Sequence, residues 1–338
     1  MSPLRTVLSL LAALALPLGA PAPSHRTTSA WLPYWGTQTA YEDALRNAAQ
    51  LHTVSPFWYE ATSATAIGGY SGAGSRQIID GLRAKGIKVV PTVVETPDAA
   101  AMATLLNDPA QRALHIDALL HTADAHGYDG LDLDYERMSE TKDAGLTERV
   151  RVGYNALTGE LCAQLHARHR ECVITVMPYD HTLPYDYPHL GKVADRLRIM
   201  GYNLHNALDK PGPLSSLAWY EKFLRYATGA VPREKLEIAL PAYGWDWTVG
   251  SNARAAHVTS LEAAALRRAK GAHYQFDTAS GTPHFAYTDA AGHRHEVWYQ
   301  DARGSAAHLA VLRRYGVTGT GLWALGFEDP ALWDALTP

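Results

Sequence analysis

The run Asp129-Gly130-Leu131-Asp132-Leu133-Asp134-Tyr135-Glu136 decides how this chain is read. Leu131, Leu133 and Tyr135 alternate with Asp132, Asp134 and Glu136, which is the period of two of a β-strand. The apolar residues then share one face and the three acids the other. Neighbouring acids on that face lie roughly 7 Å apart. Carboxylates that close, partly withdrawn from water, do not all ionise together. At least one is expected to hold a proton near neutral pH, which is what a general acid requires. The competing readings are an exposed acidic edge strand and a calcium loop. A calcium loop needs Gly at its sixth position and a bidentate acid at its twelfth. Leu, Leu and Tyr between the acids suit a strand better.

Strand and helix patterns alternate outward from this run. Residues 29–35, 52–59, 87–94, 128–136, 173–177, 197–202, 236–240 and 317–323 read as eight strands. Residues 41–51, 75–85, 108–125, 146–169, 190–194, 215–228 and 305–315 read as helices, and 60–74 as a surface loop. Such alternation predicts an α/β fold, a (β/α)8 TIM barrel over residues 27–338. The connection over residues 248–300 is too long for a simple crossover. It holds a helical stretch (260–270) and strand-like runs at 274–276, 284–287 and 296–299, the last two joined by a turn at Asp289-Ala290-Ala291-Gly292. A small α+β insertion after strand 7, walling one side of a cleft, is expected.

Length and composition narrow the class. The chain has 338 residues, enough for one barrel plus an insertion. Its formal net charge is −4, which gives nucleic acid no basic surface. Residues 1–22 read as a secretory signal peptide, with Arg5 before a short apolar run and Gly19-Ala20-Pro21-Ala22 after it. The run is short for a membrane span and no second one follows. A secreted protein is therefore expected, extracellular or wall-associated, monomeric and without a membrane or nucleic-acid partner. The two cysteines, Cys162 and Cys172, lie on a helix and at the next strand; an even count in an oxidising compartment favours a structural disulfide over two buried thiols. Sixteen histidines form no zinc spacing, and no phosphate loop or Gly-x-Ser-x-Gly elbow is present, so neither a metal nor a cofactor is implied.

Sites in such barrels lie where the strands end. The predicted ends offer Tyr34 and Trp35, Trp58 and Tyr59, Glu95, Glu136, Met177 and Tyr179, Tyr202 and Asn203, Tyr243 and Trp245, and Trp323. Acids at the floor and aromatics around them suit a sugar chain, whose ring faces are apolar and whose edges are hydroxylated. Each aromatic taken singly reads more readily as a core residue, and it is their gathering at the strand ends that shifts the balance.

The acidic run resembles the DxxDxDxE signature of family 18 glycoside hydrolases, the chitinase-like TIM barrels. The resemblance implies that Glu136 protonates the leaving glycosidic oxygen. It implies that Asp134 turns between Glu136 and the substrate's N-acetyl group, and that Asp132 is its buried partner in holding a shared proton. Met200-Gly201-Tyr202-Asn203 is similar to the family's sixth-strand M-x-Y-D motif, whose Tyr binds the reacting acetamido oxygen. Trp323 resembles the Trp that floors the subsite of the scissile sugar. Tyr34, Trp58, Met177, Tyr179, Met200, Asn203, Tyr243 and Trp245 complete the expected substrate-binding set. The implied chemistry is substrate-assisted retention, an exception to the two-carboxylate scheme. Position 203 is Asn where many members have Asp, and Val89–Val94 lacks the S-x-G-G motif of typical chitinases. Leu240–Trp247, His295–Asp301, Trp31–Gly36 and Gly321–Gly326 look closer to a spore-germination, peptidoglycan-lytic branch, the YaaH-like enzymes. The expected substrate is thus a GlcNAc-containing polysaccharide, peptidoglycan or chitin. A chitinase-like lectin and an endo-β-N-acetylglucosaminidase on N-glycans are the alternatives.

Overall fold

The computed structural model describes residues 26–336; the segment read as a signal peptide lies outside them. Eight parallel strands close into a barrel: β1 (Thr27–Pro33), β2 (Thr53–Ala61), β3 (Thr92–Glu95), β4 (Gly130–Asp134), β5 (Glu171–Val176), β6 (Arg196–Met200), β7 (Leu236–Pro241) and β8 (Gly319–Trp323). Each pairs with its neighbours in chain order, and β8 pairs with β1 to complete the ring. Helices surround it, as a (β/α)8 barrel requires.

The alternation in β4 has the consequence expected of it. Leu131, Leu133 and Tyr135 are fully buried in the layer between strand and helices, and Tyr135 donates or accepts at His115 Nε2, 2.7 Å away. Asp132 and Asp134 point into the barrel. Gly130 follows Asp129 because β5 passes too near for a side chain: a Cβ there would lie 2.3 Å from the Glu171 carbonyl oxygen. Asp129, of opposite parity, accepts from the Val89 amide at 2.8 Å and pairs with Arg83 at 3.1 Å, tying the start of β4 to its surroundings.

Local chemistry sets the helix ends. Asp98, Asp108 and Asp143 accept from the first-turn amides of helices Ala99–Asn107, Pro109–His126 and Ala144–His166. Gly127, at φ 64°, closes the second of these in the left-handed conformation. Cys162 on the third is bonded to Cys172 on β5.

Four elements differ from the sequence reading. The third strand is interrupted: Lys88–Val89 and β3 flank Val90-Pro91, where proline has no N–H to give the ladder. The 60–74 loop contains a short strand, Ile67–Gly69, folded back on β2. Helix Ala99–Asn107 was not read, because a run of alanines gives little apolar contrast. The second sheet starts at Tyr243, ahead of position 248. Its five antiparallel strands run in the order Ala256–Thr259, Tyr243–Thr248, Arg294–Tyr299, Thr282–Thr288, Gln275–Asp277. The strand Tyr243–Thr248 grows directly out of β7, so its aromatics stand over the barrel mouth.

Candidate active site

β4 ends at Asp134, and the chain then turns. Glu136 has φ −109° and ψ −36° and begins a 3-10 turn over Arg137–Ser139. The expected strand to Glu136 is thus two residues too long, and the turn is what lifts the Glu136 carboxyl from the barrel floor to its rim. Glu95, at the end of β3, fixes that turn. Its buried carboxyl accepts from the Glu136 amide at 3.0 Å and from the Met138 amide at 2.7 Å. Ser139 Oγ donates to the Glu136 carbonyl at 2.6 Å. Glu136 faces two cavities, one of about 650 Å³ and one of about 270 Å³, and Asp134 and Glu95 line the smaller.

Burial governs the protonation of this group. It pushes the Glu136 carboxyl up to about 7, with the charge of Glu140 adding to the effect. Glu95 is pushed up to about 8 by burial, although its two backbone donors pull the other way. Asp134 is raised well above the aspartate range by burial first and then by Glu136, Asp132 and Glu95. Its Oδ1 is buried without a hydrogen-bond partner. Both groups are thereby shifted toward their protonated forms, Asp134 by its burial among like charges and Glu136 by its burial at the rim.

Asp132 lies one layer deeper and is held very differently. Its Oδ1 accepts from Thr175 Oγ1 at 2.7 Å. Its Oδ2 accepts from Thr92 Oγ1 at 2.7 Å, Arg198 Nη1 at 2.8 Å and Trp31 Nε1 at 3.2 Å. Burial is the largest influence and, with Glu237, leaves its pKa above the ordinary aspartate value, although Arg198 and the two threonines pull it down.

The walls are aromatic. Trp323, expected on the floor, is edge-on to Trp31 at 5.5 Å and to Phe57 at 5.3 Å, with Trp35 at 6.1 Å. Trp35 is 54% exposed, and its neighbour Tyr34 stacks on Tyr70 at 4.3 Å. Beyond Glu136, the larger cavity is lined by Met177, Tyr179, Met200, Tyr202, Asn203 and Trp245, among others. The Tyr179 ring is locked by stacking on Tyr226. Asn203 adopts φ 63°, a conformation that Asn tolerates better than most residues. Its Oδ1 accepts from Tyr243 Oη at 2.5 Å, so the sixth-strand end is tied to the second sheet. Gly201 before it leaves room for Tyr220, whose hydroxyl would lie 2.3 Å from a Cβ there.

The structure thus gathers Glu136, Asp134, Asp132, Tyr202, Met177, Tyr179, Met200, Asn203, Tyr243, Trp245 and Trp323 around one end of the barrel, with Tyr34 on its flank. Trp58 is the exception. Trp58 has the outward parity of Val54 and is fully buried in the barrel–helix layer near Tyr128, and a register shift between Phe57 and Tyr59 brings Tyr59 to the same side. Phe57 stands beside Trp323 in its place, and the parity of Ser55 and Phe57 is the signal that could have found it. Glu95 reads in the sequence as a strand end, and its role in holding the turn has no sequence signature. Nothing in the sequence marks Arg198 as buried. Among the described residues no group of His, Cys, Asp or Glu could hold a metal ion, and no helix is long and apolar enough to cross a membrane.

Comparison with known proteins agrees with this geometry. The family model of glycosyl hydrolases family 18 matches residues 33–328. The "Uncharacterized glycosylase YvbX" of Bacillus subtilis (strain 168) is 25% identical over 246 residues, which is 71% of this chain and 69% of that protein. The cortical fragment-lytic enzyme of the same organism is 26% identical over 241 residues, 68% of this chain. The chain spans about half the length of that relative, 54%. A chitinase from Chromobacterium violaceum ATCC 12472 superposes with a TM-score of 0.82 at 26% identity, covering 92% of this chain and 98% of the other. The chain belongs to the glycosyl hydrolases of family 18 and is a glycoside hydrolase on a TIM barrel.

Proposed function

We propose that the protein is a secreted, retaining hydrolase of β-linked glycans that contain N-acetylglucosamine, with peptidoglycan as its first substrate and chitin as its second. One observation carries the reading: Glu136, raised to about 7, stands at the rim, and Asp134 behind it is buried among acids that raise its pKa and favour its protonated form. A protonated aspartic acid is no nucleophile. The substrate's own acetamido oxygen supplies that role, as in the substrate-assisted exception to the two-carboxylate scheme.

Glu136 gives its proton to the glycosidic oxygen as the bond from that oxygen to the anomeric carbon breaks. The acetamido carbonyl oxygen bonds to the anomeric carbon from the opposite face, forming an oxazolinium ion. Asp134 and Tyr202 orient the acetamido group. Water then attacks the same carbon, its proton returning to the Glu136 carboxylate, and the oxazolinium opens with retained configuration. General acid catalysis of this kind contributes about 10²–10⁴-fold.

Peptidoglycan is favoured over chitin by the cavity's charges. Lys222 and Arg254 line the larger cavity and both are exposed, with Asp180 on the same lining near Lys222, which leaves Arg254 as the less compensated cation. Chitin offers them no anion, whereas peptidoglycan carries carboxylates on its lactyl ethers and stem peptides. The name of the cortical fragment-lytic relative points the same way. The test is product analysis by mass spectrometry, with soluble peptidoglycan fragments and chitooligosaccharides as separate substrates. Cleavage of peptidoglycan fragments with the higher kcat/KM supports the reading; cleavage of chitooligosaccharides alone removes peptidoglycan. Binding of either without cleavage by the wild type removes the hydrolase reading and leaves a lectin.

A further inference from the structure

We propose that Arg198 is a positioning residue of this reaction: it pins Asp132 in its charged form below the site, so that the proton of the buried acid pair stays on Asp134, beside Glu136. The proposal rests on the reading of Glu136 and Asp134 as the acids that meet substrate.

Arg198 sits in the middle of β6 and is fully buried, facing into the barrel. Nothing in a barrel core calls for a guanidinium, and burying one costs several kcal/mol unless it is paired. Here it bridges two acids. Nη1 donates to Asp132 Oδ2 at 2.8 Å and to Ser55 Oγ at 3.1 Å, and Nε donates to Glu237 Oε1. Ser29 Oγ donates to the same Glu237 oxygen at 2.5 Å. The guanidinium lies over the Trp31 ring, 4.4 Å from its centre. Arg198, Asp132 and Glu237 together carry one net negative charge, which Arg196, 3.7 Å from the other Glu237 oxygen, offsets only from the start of β6. A charged Asp134 directly above would make it two, in a core that holds its charges away from water.

The donors around Asp132 decide which acid is neutral. Trp31 Nε1 and Arg198 Nη1 can only donate. Thr92 Oγ1 accepts from Trp31 Nε1 at 3.0 Å, so its own proton is turned toward Asp132. Oδ2 is thereby filled by three donors. A proton on Asp132 could sit only on Oδ1, where the Thr175 hydroxyl would have to turn from donor to acceptor, and would leave Arg198 facing a neutral acid. Asp134, by contrast, has a buried oxygen with no partner.

The consequence is a pH effect. Asp132 is faced by Trp31 from β1, Ser55 from β2, Thr92 from β3, Thr175 from β5, Arg198 from β6 and Glu237 from β7. Asp134 on its own strand lies above it, with Glu136, Glu95 and Tyr202 beyond and Tyr154 behind. Among these groups Arg198 is the cation bonded to Asp132. Without it the Asp132 pKa rises toward the working range, and Asp132 takes up a second proton as pH falls. The acid limb of the kcat profile of Arg198→Met should therefore move up by about one pH unit or more, since one unit corresponds to a modest change in interaction. Arg198→Lys keeps the charge and should return the limb toward its wild-type position, even if kcat stays low because the fork is lost.

Equal losses of kcat in both variants with an unshifted profile would overturn the proposal and leave Arg198 a packing residue. Should Arg198→Met fail to fold, neutron diffraction of the wild type at neutral pD decides the matter. Deuterium on Asp134 and none on Asp132 is expected; deuterium on Asp132 overturns it. If the wild type cleaves no glycan, the reaction reading fails, while the neutron map still reports whether Arg198 holds Asp132 charged.

Discussion

Glu136 can act as an acid at neutral pH because it is out of water and near Glu140. An ordinary glutamate loses its proton near pH 4.5, whereas this one keeps it to about 7. On the proposed mechanism the reactive form is the protonated one, so kcat/KM should fall as pH rises through about 7, giving a basic limb that a pH–rate profile detects. Glu95 should matter without touching substrate. Glu95→Ala leaves the Glu136 and Met138 amides without their acceptor, at about 1–3 kcal/mol for each if buried. It also frees the turn that aims Glu136, and a misplacement of about 1 Å is worth roughly 10² in rate. A large loss of kcat with little change in KM, and a folded circular dichroism spectrum, is the expected outcome. At the rim, Lys222→Met combined with Arg254→Met should raise KM for peptidoglycan fragments several-fold and leave chitooligosaccharides unaffected, as steady-state kinetics on both would reveal. The acids were legible in the sequence because alternation alone puts Asp132 and Asp134 on the face opposite Leu131 and Leu133. Trp58 departs from the expected set because its parity, opposite to that of Ser55 and Phe57, puts it on the helix-facing side of β2. Arg198 was passed over for a different reason. In Arg196-Leu197-Arg198-Ile199-Met200 the arginines look like the wet face of a strand, yet Leu197 and Ile199 are the residues that meet the helices. The polar face of β6 is the inside of the barrel.

The elements that carry the site are strand ends, and their lengths matter more than their interiors. β4 stops at Asp134, two residues short of the expected end, because the amides of Glu136 and Met138 turn to Glu95. No periodicity encodes that switch, since the partner is on another strand 41 residues away from Glu136. Eight strands and most helices were legible because alternation and caps are local signals. Ala99–Asn107 was not, because alanine satisfies a helix without marking a face. The disulfide joins helix Ala144–His166 to the start of β5, at a sequence separation of 10. Closing so short a loop stabilises by about 2–3 kcal/mol in the chain-entropy picture. Cys162→Ser with Cys172→Ser should lower the urea midpoint by a corresponding amount and leave kcat intact, because neither residue lines the cavities.

At the scale of the whole molecule, the barrel stores acids whose burial makes stability depend on pH. Glu95 and Glu328 are raised to about 8 and Glu136 to about 7, from ordinary values of 4.5. In that window the folded protein keeps protons that the unfolded chain has released. Their contribution is complete below about pH 4.5 and is lost as pH rises toward 8. Each group changes stability by roughly 1.4 kcal/mol per pH unit while it lies inside the window. The thermal midpoint should fall by several degrees between pH 5 and pH 8 in a calorimetric series. The second sheet, from Tyr243 to Tyr299, closes one side of the mouth with Tyr243 and Trp245, so barrel and insertion build one cleft between them. The central claim, that Glu136 gives a proton to the leaving oxygen, has a direct test in Glu136→Gln. Wild type and variant would be compared on an N-acetylglucosaminide with an ordinary sugar leaving group and on the dinitrophenyl glycoside, whose leaving group needs no proton. Glu136→Gln should lose about 10²–10⁴ in kcat on the first and far less on the second. Equal losses on both, or turnover retained on the sugar substrate, would contradict the assignment.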